Sequence, residues 1–532
     1  MNIKENQTKQ KLMGAYYTPN EIVDFMLRWA IESEESQSIL EPSAGDGQFL
    51  RRMKEINRGS RITAIEIDKE EAKKIPNNLN CAVNVIVDDF YNFYEDQRFD
   101  QSFDVVLGNP PYIRYQFLSE SQREFQSDIL MNNGLKPNKL INSWVAFSVA
   151  TLEMLNAGGK FAFVLPTDLL QVSYAKQLRM YFRDMFSELN VVTFKDLVFE
   201  GIQQDILIVM GVKKQKIEDK IKLRTVHIHK LSELEKSIDE YEFDKYTDFD
   251  SEKWSSLNLE KKYRTYYDNA FKKHTEVFTK IADVEVGITT GNNNFFVIDW
   301  QKVKKNSLIE YVRPLLGRSV ETFGIRYTVD DLEANSQQGK NSWLVDFNSK
   351  QLNKGALEYV QQAEKNGENK GYKLRIRNKW YEVPSIWEPD AFILRRIGQF
   401  PKLIENQANA VSTDTFHRLR LLEETYTMDE LMFLFYSSPT LLSIELEGRS
   451  FGGGALELLP GDFHNIRLPK IGKIKNIKYL VEQLDSKIRD NQPFDEIVKW
   501  VDNSIQENSD SVIDFDLTFS AWRETNLARY KK

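Results

Sequence analysis

Short apolar runs recur through the amino-terminal half of the chain, each closed by a turn and followed by a stretch with helical spacing. The runs are SILEPSAG, RITAIEID, VNVIVDDF, FDVVLGNPP, GKFAFVLPT and DILIVMGV. YYTPNEIVDFMLRWA opens the series with a predicted helix. Thr18 is its N-cap, Pro19 takes the first helical position and Glu21 completes a capping box. Ile22, Val23, Phe25, Met26 and Trp29 then recur at helical spacing. INSWVAFSVATLEMLNAGG predicts another helix that stops at Gly158-Gly159. Strand–helix alternation of this kind predicts an α/β fold with a doubly wound, mostly parallel sheet. In such sheets ligands sit at the carboxyl ends of strands, near the point where strand order reverses.

Four of those strand ends carry chemistry. In ILEPSAGDGQFL, Glu41 closes a strand, and Ala44-Gly45-Asp46-Gly47 make a tight turn into a helix. Glycine lets backbone approach a ligand closely. The full dinucleotide fingerprint and a following Lys-Ser/Thr are both missing, so a phosphate cradle is not expected. In AIEID, Glu66 follows Gly47 by 19 residues, where nucleotide sites place an acid on ribose hydroxyls, and Ile67 comes next. In VDDF, Asp89 can accept from an exocyclic adenine amine and Phe90 can cover a ring face. Taken singly, Glu66 could be an exposed acid and Phe90 a core aromatic. In this order, at successive strand ends, they describe a pocket for a nucleoside that bears an amino acid. The fourth end is Asn109-Pro110-Pro111-Tyr112. Two prolines stop a strand, because proline donates no backbone hydrogen bond. An amide before them and a phenol behind suit chemistry as well.

The pattern changes after the last run. From about Lys213 to Tyr267 the sequence is charged and aromatic without apolar periodicity, as expected of a connection. The carboxyl-terminal half has no strand–helix alternation. Its islands are VEVGITTGNNNFFVI, YVRPLLGRSV, FILRRIGQFPKLIENQANAVSTDTFHRLRL and RSFGGGALELLPGDFHNIRLP, and its tail, FDLTFSAWRETNLARYKK, predicts an amphipathic helix. Residues 1–245 are therefore expected to form one domain, and residues 246–532 a second, mixed α+β domain with a helical tail.

A chain of 532 residues requires at least two domains. Net charge is −8, but phosphate contacts depend on local charge rather than on the sum. Between Gln361 and Lys402, nine cations (Lys365, Lys370, Lys373, Arg375, Arg377, Lys379, Arg395, Arg396, Lys402) face five acids. A solvated face is the plain alternative. Candidate nucleic-acid contacts are Thr290 and Asn292 in the Asn/Gly turn, Arg395, Arg396 and Lys402 in the basic run, and Thr413, Thr415 and Arg418 along an extended segment. A single cysteine, Cys81, rules out an internal disulfide framework. The five histidines have no metal spacing, so no metal is expected. No apolar run is long enough to span a bilayer. The polar start is unlike a secretory signal, which makes cytoplasm the expected compartment.

Helix-borne YYTP, the glycine turn, the acidic strand ends, Asn-Pro-Pro-Tyr and a large carboxyl-terminal half occur here in one order. In this the chain resembles the gamma class of amino-methyltransferases, S-adenosylmethionine-dependent enzymes that modify N6 of adenine in DNA. The resemblance implies a catalytic sheet domain followed by a target-recognition domain. It places cofactor contacts on Tyr17, Thr18, Pro19, Glu41, Ser43, Ala44, Gly45, Gly47, Glu66, Ile67, Asp89, Phe90 and Asn109. It also implies that the adenine flips out of the duplex, with Asn109 and the Pro110 carbonyl accepting from its amine. Tyr112 would stack on one face of the base and Phe199 on the other, with Phe194 the competing aromatic. Glutamine methyltransferases of release factors and some RNA adenine methyltransferases share Asn-Pro-Pro-Tyr but lack a large second half. A binding scaffold is disfavoured because Asn109, Tyr112 and the glycine turn are intact. The expected partner is double-stranded DNA. Any cleaving partner is expected on a separate polypeptide, or to be absent altogether, since the family motifs begin too early to leave room for a nuclease.

Overall fold

The computed structural model describes residues 18–53, 56–76, 79–137, 142–194, 206–216, 219–244, 253–422, 426–451 and 453–530. The chain divides into two compact units between Asp268 and Asn269.

The first unit is built on one eight-stranded sheet. In chain order its strands are β1 (Ser38–Glu41), β2 (Arg61–Ile65), β3 (Ala82–Ile86), β4 (Phe103–Gly108), β5 (Leu155–Pro166), β6 (Phe186–Phe194), β7 (Ile206–Lys213) and β8 (Lys222–Ile228). Their order across the sheet is β3-β2-β1-β4-β5-β7-β6-β8. Only β7 runs antiparallel to its neighbours. Val105, Val106 and Leu107 of β4 are buried on both faces, as a central parallel strand requires. Helices cover both faces: α1 (Asn20–Ala30), α2 (Gln48–Arg52), α3 (Phe90–Gln97) and α4 (Ser143–Glu153) matter here. α1 buries Ile22, Val23, Phe25 and Met26, the stripe its spacing predicts. α4 is buried all round from Ser143 to Leu152, so it is a core helix rather than a surface one. Its polar Ser148 and Thr151 turn back onto the carbonyls of Trp144 and Phe147, both at 2.7 Å.

Three local expectations are corrected. The cap of α1 is Pro19, with no side-chain capping bond; the Thr18 hydroxyl is engaged elsewhere, as described below. α4 ends at Glu153, and Gly158-Gly159 lie inside β5 at a register irregularity against β4. Gly158 has φ +78°, and a Cβ on Gly159 would come within 2.9 Å of the Asp104 carbonyl oxygen, so the pair serves a bulge rather than a helix stop. The stretch read as a connection after Lys213 contributes β8, which pairs in parallel with β6. Its charge is absorbed internally. Arg224 lies over the Phe243 ring at 4.0 Å and donates to Asn190 at 2.9 Å, and Arg264 pairs with Asp244 at 2.7 Å where both are almost fully buried.

The second unit has mixed sheets. A five-stranded one runs Ala282–Val286, Phe416–Leu421, Ala391–Leu394, Leu403–Asn406, Arg326–Tyr327. A four-stranded one joins Val297–Ile298, Trp343–Val345, Val312–Leu316 and Val411–Ser412. The tail is a helix, Phe515–Tyr530, docked through fully buried Trp522 and a buried Arg529–Glu445 pair at 2.8 Å. Among the described residues no helix is long and apolar enough to cross a membrane.

Candidate active site

Strand order reverses between β1 and β4, so their carboxyl ends leave the sheet side by side. The two turns that follow are tied together, since Ser43 Oγ donates to the Asn109 carbonyl at 3.1 Å. Asn109 Nδ2 reaches Thr18 Oγ1 at 3.4 Å. Thr18, buried just before α1, is thereby a partner of the Asn109 carboxamide instead of a helix cap.

The glycine turn is shaped by two left-handed residues, Gly45 (φ +55°) and Gly47 (φ +84°). A Cβ on Gly47 would sit 2.9 Å from Pro76 Cδ, so this position is closed by packing, whereas the space around Gly45 is open. The Gly45 N–H donates to one oxygen of Glu66 at 2.8 Å, and the Asp68 N–H donates to the other at 2.8 Å. Burial raises the Glu66 carboxyl above its ordinary range, against the pull of those two amides. Glu41 is 1% exposed, and its Oε2 has no hydrogen-bond partner. Burial holds its carboxyl well above the usual range, and nearby Asp46 and Glu66 add to this while Arg51 opposes it. A buried carboxylate oxygen with no donor is costly unless a ligand supplies one. Asp46 Oδ1, in the same turn, is also buried without a partner.

At the next two strand ends, Ile67 is 65% and Val87 50% exposed, large apolar side chains left bare beside acids. Asp89 caps α3 through the Tyr91 N–H at 3.0 Å. Phe90, the first residue of α3, is 3% exposed, with its ring 4.7 Å from that of Phe147.

The Asn-Pro-Pro-Tyr turn is held from below by a residue that the sequence did not single out. Ser143, the buried first residue of α4, donates through Oγ to the Pro111 carbonyl at 2.6 Å and accepts there from the Ile113 N–H at 2.9 Å. Its own N–H donates to the Ile113 carbonyl at 2.9 Å. These three bonds bracket Tyr112, whose hydroxyl donates to the Val164 carbonyl at 2.9 Å. The available signal was one polar residue at the start of an otherwise apolar helix, which spacing alone cannot assign. Tyr17 and Phe199 lie outside the described residues.

The expected DNA contacts on the second unit fare differently. Arg418 is corrected. It is 3% exposed, donates to the carbonyls of Val286 (3.1 Å) and Ser385 (2.6 Å) and to Glu285 (3.3 Å), and stacks on Trp387 at 4.4 Å. Thr290 and Thr413 are also buried, and bond to Asn293 and Thr415 respectively. Asn292 caps a short helix and donates to the Glu368 carbonyl at 3.1 Å. Lys402 is half-buried on Thr322, and burial lowers its ammonium from the ordinary range. Arg395 pairs with Glu457 at 3.1 Å. Arg396, with its side chain 79% exposed, reaches the same Glu457 at 3.4 Å, and Thr415 is exposed.

Residues 10–200 match the family described as Eco57I restriction-modification methylase, and residues 251–506 match the C-terminal domain of Type II methyltransferase M.Eco57I. Over both of these stretches the chain is similar to the Eco57I restriction-modification methylases. Its first unit has the doubly wound, mostly parallel sheet that the sequence predicts. Type II methyltransferase M.AccI of Acinetobacter calcoaceticus is 25% identical over 527 residues, 94% of each chain. M.HincII of Haemophilus influenzae is 27% identical over 217 residues, 40% of each. Among solved structures, the type IIG restriction endonuclease BpuSI matches 97% of this chain and 66% of its own, at 14% identity and a TM-score of 0.45.

Proposed function

We propose that this methylase is a site-specific DNA methyltransferase that acts on N6 of adenine, with S-adenosylmethionine as methyl donor. The observation that carries this is the Ser43–Asn109 tie, which sets the Asn-Pro-Pro-Tyr turn directly beside the Glu41 turn at the switch point. A cationic ligand fits what is there: the buried Glu41 oxygen that has no donor calls for an ammonium, and Ile67 and Val87 call for an apolar cover. Glu41 would hold the amino acid ammonium, Glu66 the ribose hydroxyls and Asp89 the exocyclic amine, with Gly45 and Gly47 giving backbone access. When bound, the cofactor supplies an electrophilic methyl group on a sulfonium.

The chain's own task is the amine. The lone pair of an adenine amino group is delocalised into the ring, which makes it a poor nucleophile. Two acceptors aimed at its N–H bonds favour a pyramidal nitrogen and free that pair. The Asn109 carboxamide oxygen and the Pro110 carbonyl are assigned this role. Because neither reorients during reaction, their dipoles cost no reorganisation. The base is taken to be extruded from the duplex, with Tyr112 on one face and Phe199 on the other. The second unit is assigned target recognition, and the protein is assigned the protection of DNA in a restriction-modification system.

Sequencing DNA from cells that express the protein, with a method that distinguishes methylated bases, tests the whole assignment. N6-methyladenine at one recurrent motif is the expected outcome. Methylcytosine at that motif, or a mark confined to RNA, overturns it.

A further inference from the structure

The basic run of the second unit contains an element with a composition of its own. Lys370–Lys379, KGYKLRIRNK, holds five cations and no acid. Its centre, Tyr372–Arg375, is a single helical turn. Leu374 is fully buried and belongs to the same core as Phe295, Phe296 and Tyr359. On a helix, residues four apart share a face, and a residue midway between them points the other way. Tyr372 and Ile376 therefore form a crest opposite Leu374, and they are 72% and 68% exposed. Lys373 and Arg375, both exposed, flank that crest on its two sides.

The base of this turn is firm. Arg377 donates to the Thr289 carbonyl at 3.0 Å, and Asn292 donates to the Glu368 carbonyl at 3.1 Å. Gly291 has φ +82°, and a Cβ there would lie 3.1 Å from Leu374 Cδ2 and 3.3 Å from Lys373 Cβ. The Asn/Gly turn and the basic run, distant in sequence, are thus one structural unit, in which the first buttresses the second. Lys379 is balanced by Glu382 at 2.9 Å.

We propose that this turn docks in a groove of duplex DNA. Lys373 and Arg375 reach phosphates on the two walls, while Tyr372 and Ile376 cover sugar and base edges between them. Two large apolar side chains held in water contribute nothing to folding, and like charges gathered on one turn repel each other; a phosphate-walled groove removes both penalties. The major groove, about 12 Å wide, admits a helical turn. The inference rests on the DNA methyltransferase reading and adds to it a contact surface with two separable parts.

Those parts give different signatures in the full-length protein, measured by fluorescence anisotropy on a duplex that carries the methylated motif. Lys373→Ala with Arg375→Ala should lower the slope of log Kd against log salt by about 1.8, at about 0.9 per phosphate lost. Tyr372→Ala should weaken binding by about tenfold and leave the slope unchanged. Lys273→Ala with Lys280→Ala removes the same charge from other exposed positions and should leave both quantities unchanged. All variants should bind S-adenosylhomocysteine as the wild type does, which shows that they are folded. A wild-type slope in the Lys373/Arg375 variant, or an equal fall in the Lys273/Lys280 variant, overturns the inference. A wild-type protein that binds S-adenosylhomocysteine but no duplex DNA would instead overturn the underlying reading.

Discussion

The carboxyl edge of the large sheet and the surface of the second unit both hold buried charged side chains, and the two regions treat them in opposite ways. Glu41 is buried with an oxygen that has no donor, and its carboxyl is held well above the ordinary range. Arg418 is buried just as deeply, but carbonyls, a carboxylate and an indole face surround it. A buried charge with vacant hydrogen-bonding capacity is a place for a ligand, and one whose capacity is filled is architecture. Residue type does not distinguish the two cases; partner count does.

The sharpest test of the sheet edge is Asn109→Ala. It should lower kcat by about 10²–10³, the cost of losing one preorganised dipole, while S-adenosylhomocysteine affinity stays near wild type in calorimetry. Unchanged turnover would remove the acceptor role. Glu41→Gln should weaken S-adenosylhomocysteine binding by about 10- to 100-fold, as expected for a lost charged hydrogen bond. The accompanying pH effect has a definite sign. Burial raises the Glu41 carboxyl, so the free protein keeps that proton at acid pH, whereas a ligand ammonium favours the carboxylate. Wild-type affinity should therefore rise with pH through this titration, and the glutamine variant should be flat.

The contrast between the two regions can be broken directly. Arg418→Ala should cost about 2–4 kcal/mol of stability in denaturant unfolding, since it strips a buried network of its donor, and should leave the salt slope of DNA binding unchanged. Arg396→Ala should do the reverse, with no change in melting and a slope lower by about 0.9. Swapped outcomes would mean that burial misidentifies the DNA-facing cation. Ser143→Ala should lower kcat by about tenfold, the worth of one hydrogen bond in a barrier, without changing cofactor affinity. Ser143→Thr, which keeps the hydroxyl, should restore most of it, and a purely structural residue would instead lower melting and kcat together.

A stability effect that depends on pH is expected at Asp502. Burial pushes its carboxyl up to about 8, although the Ser438 hydroxyl and N–H oppose this and Asp516 adds to it. The Ser438 N–H donates to it at 2.9 Å. Its unfolded value is about 3.9, so its contribution to stability is complete below about pH 4 and is lost as pH rises towards 8. Asp502→Asn, neutral throughout, should gain on the wild type along that range in melting experiments. A parallel pH profile would show that Asp502 does not titrate there.

Much of the first unit was legible because period and punctuation survive in one dimension. Six of its eight strands were marked by an apolar run ending in a turn. β6, FSELNVVTF, and β8, KLRTVHI, were missed because their polar residues break the run, and those residues become acceptable only beside one another, as when Arg224 meets Asn190. Thr18 had the right residue type for a cap but bonds to Asn109, a partner 91 positions away.

By itself, the sequence determined the alternation, the order of the strand ends and the residues set on them, because a turn at the end of a parallel strand is specified by its own few residues. Tertiary structure decided what no local pattern encodes: that Ser143 supports the Asn109 turn, that Arg418 faces inward while Arg396 faces out, and that the Asn/Gly turn underlies the basic run. Each of these depends on which distant group supplies the partner for a polar atom, and a polar atom leaves water only where that partner is waiting.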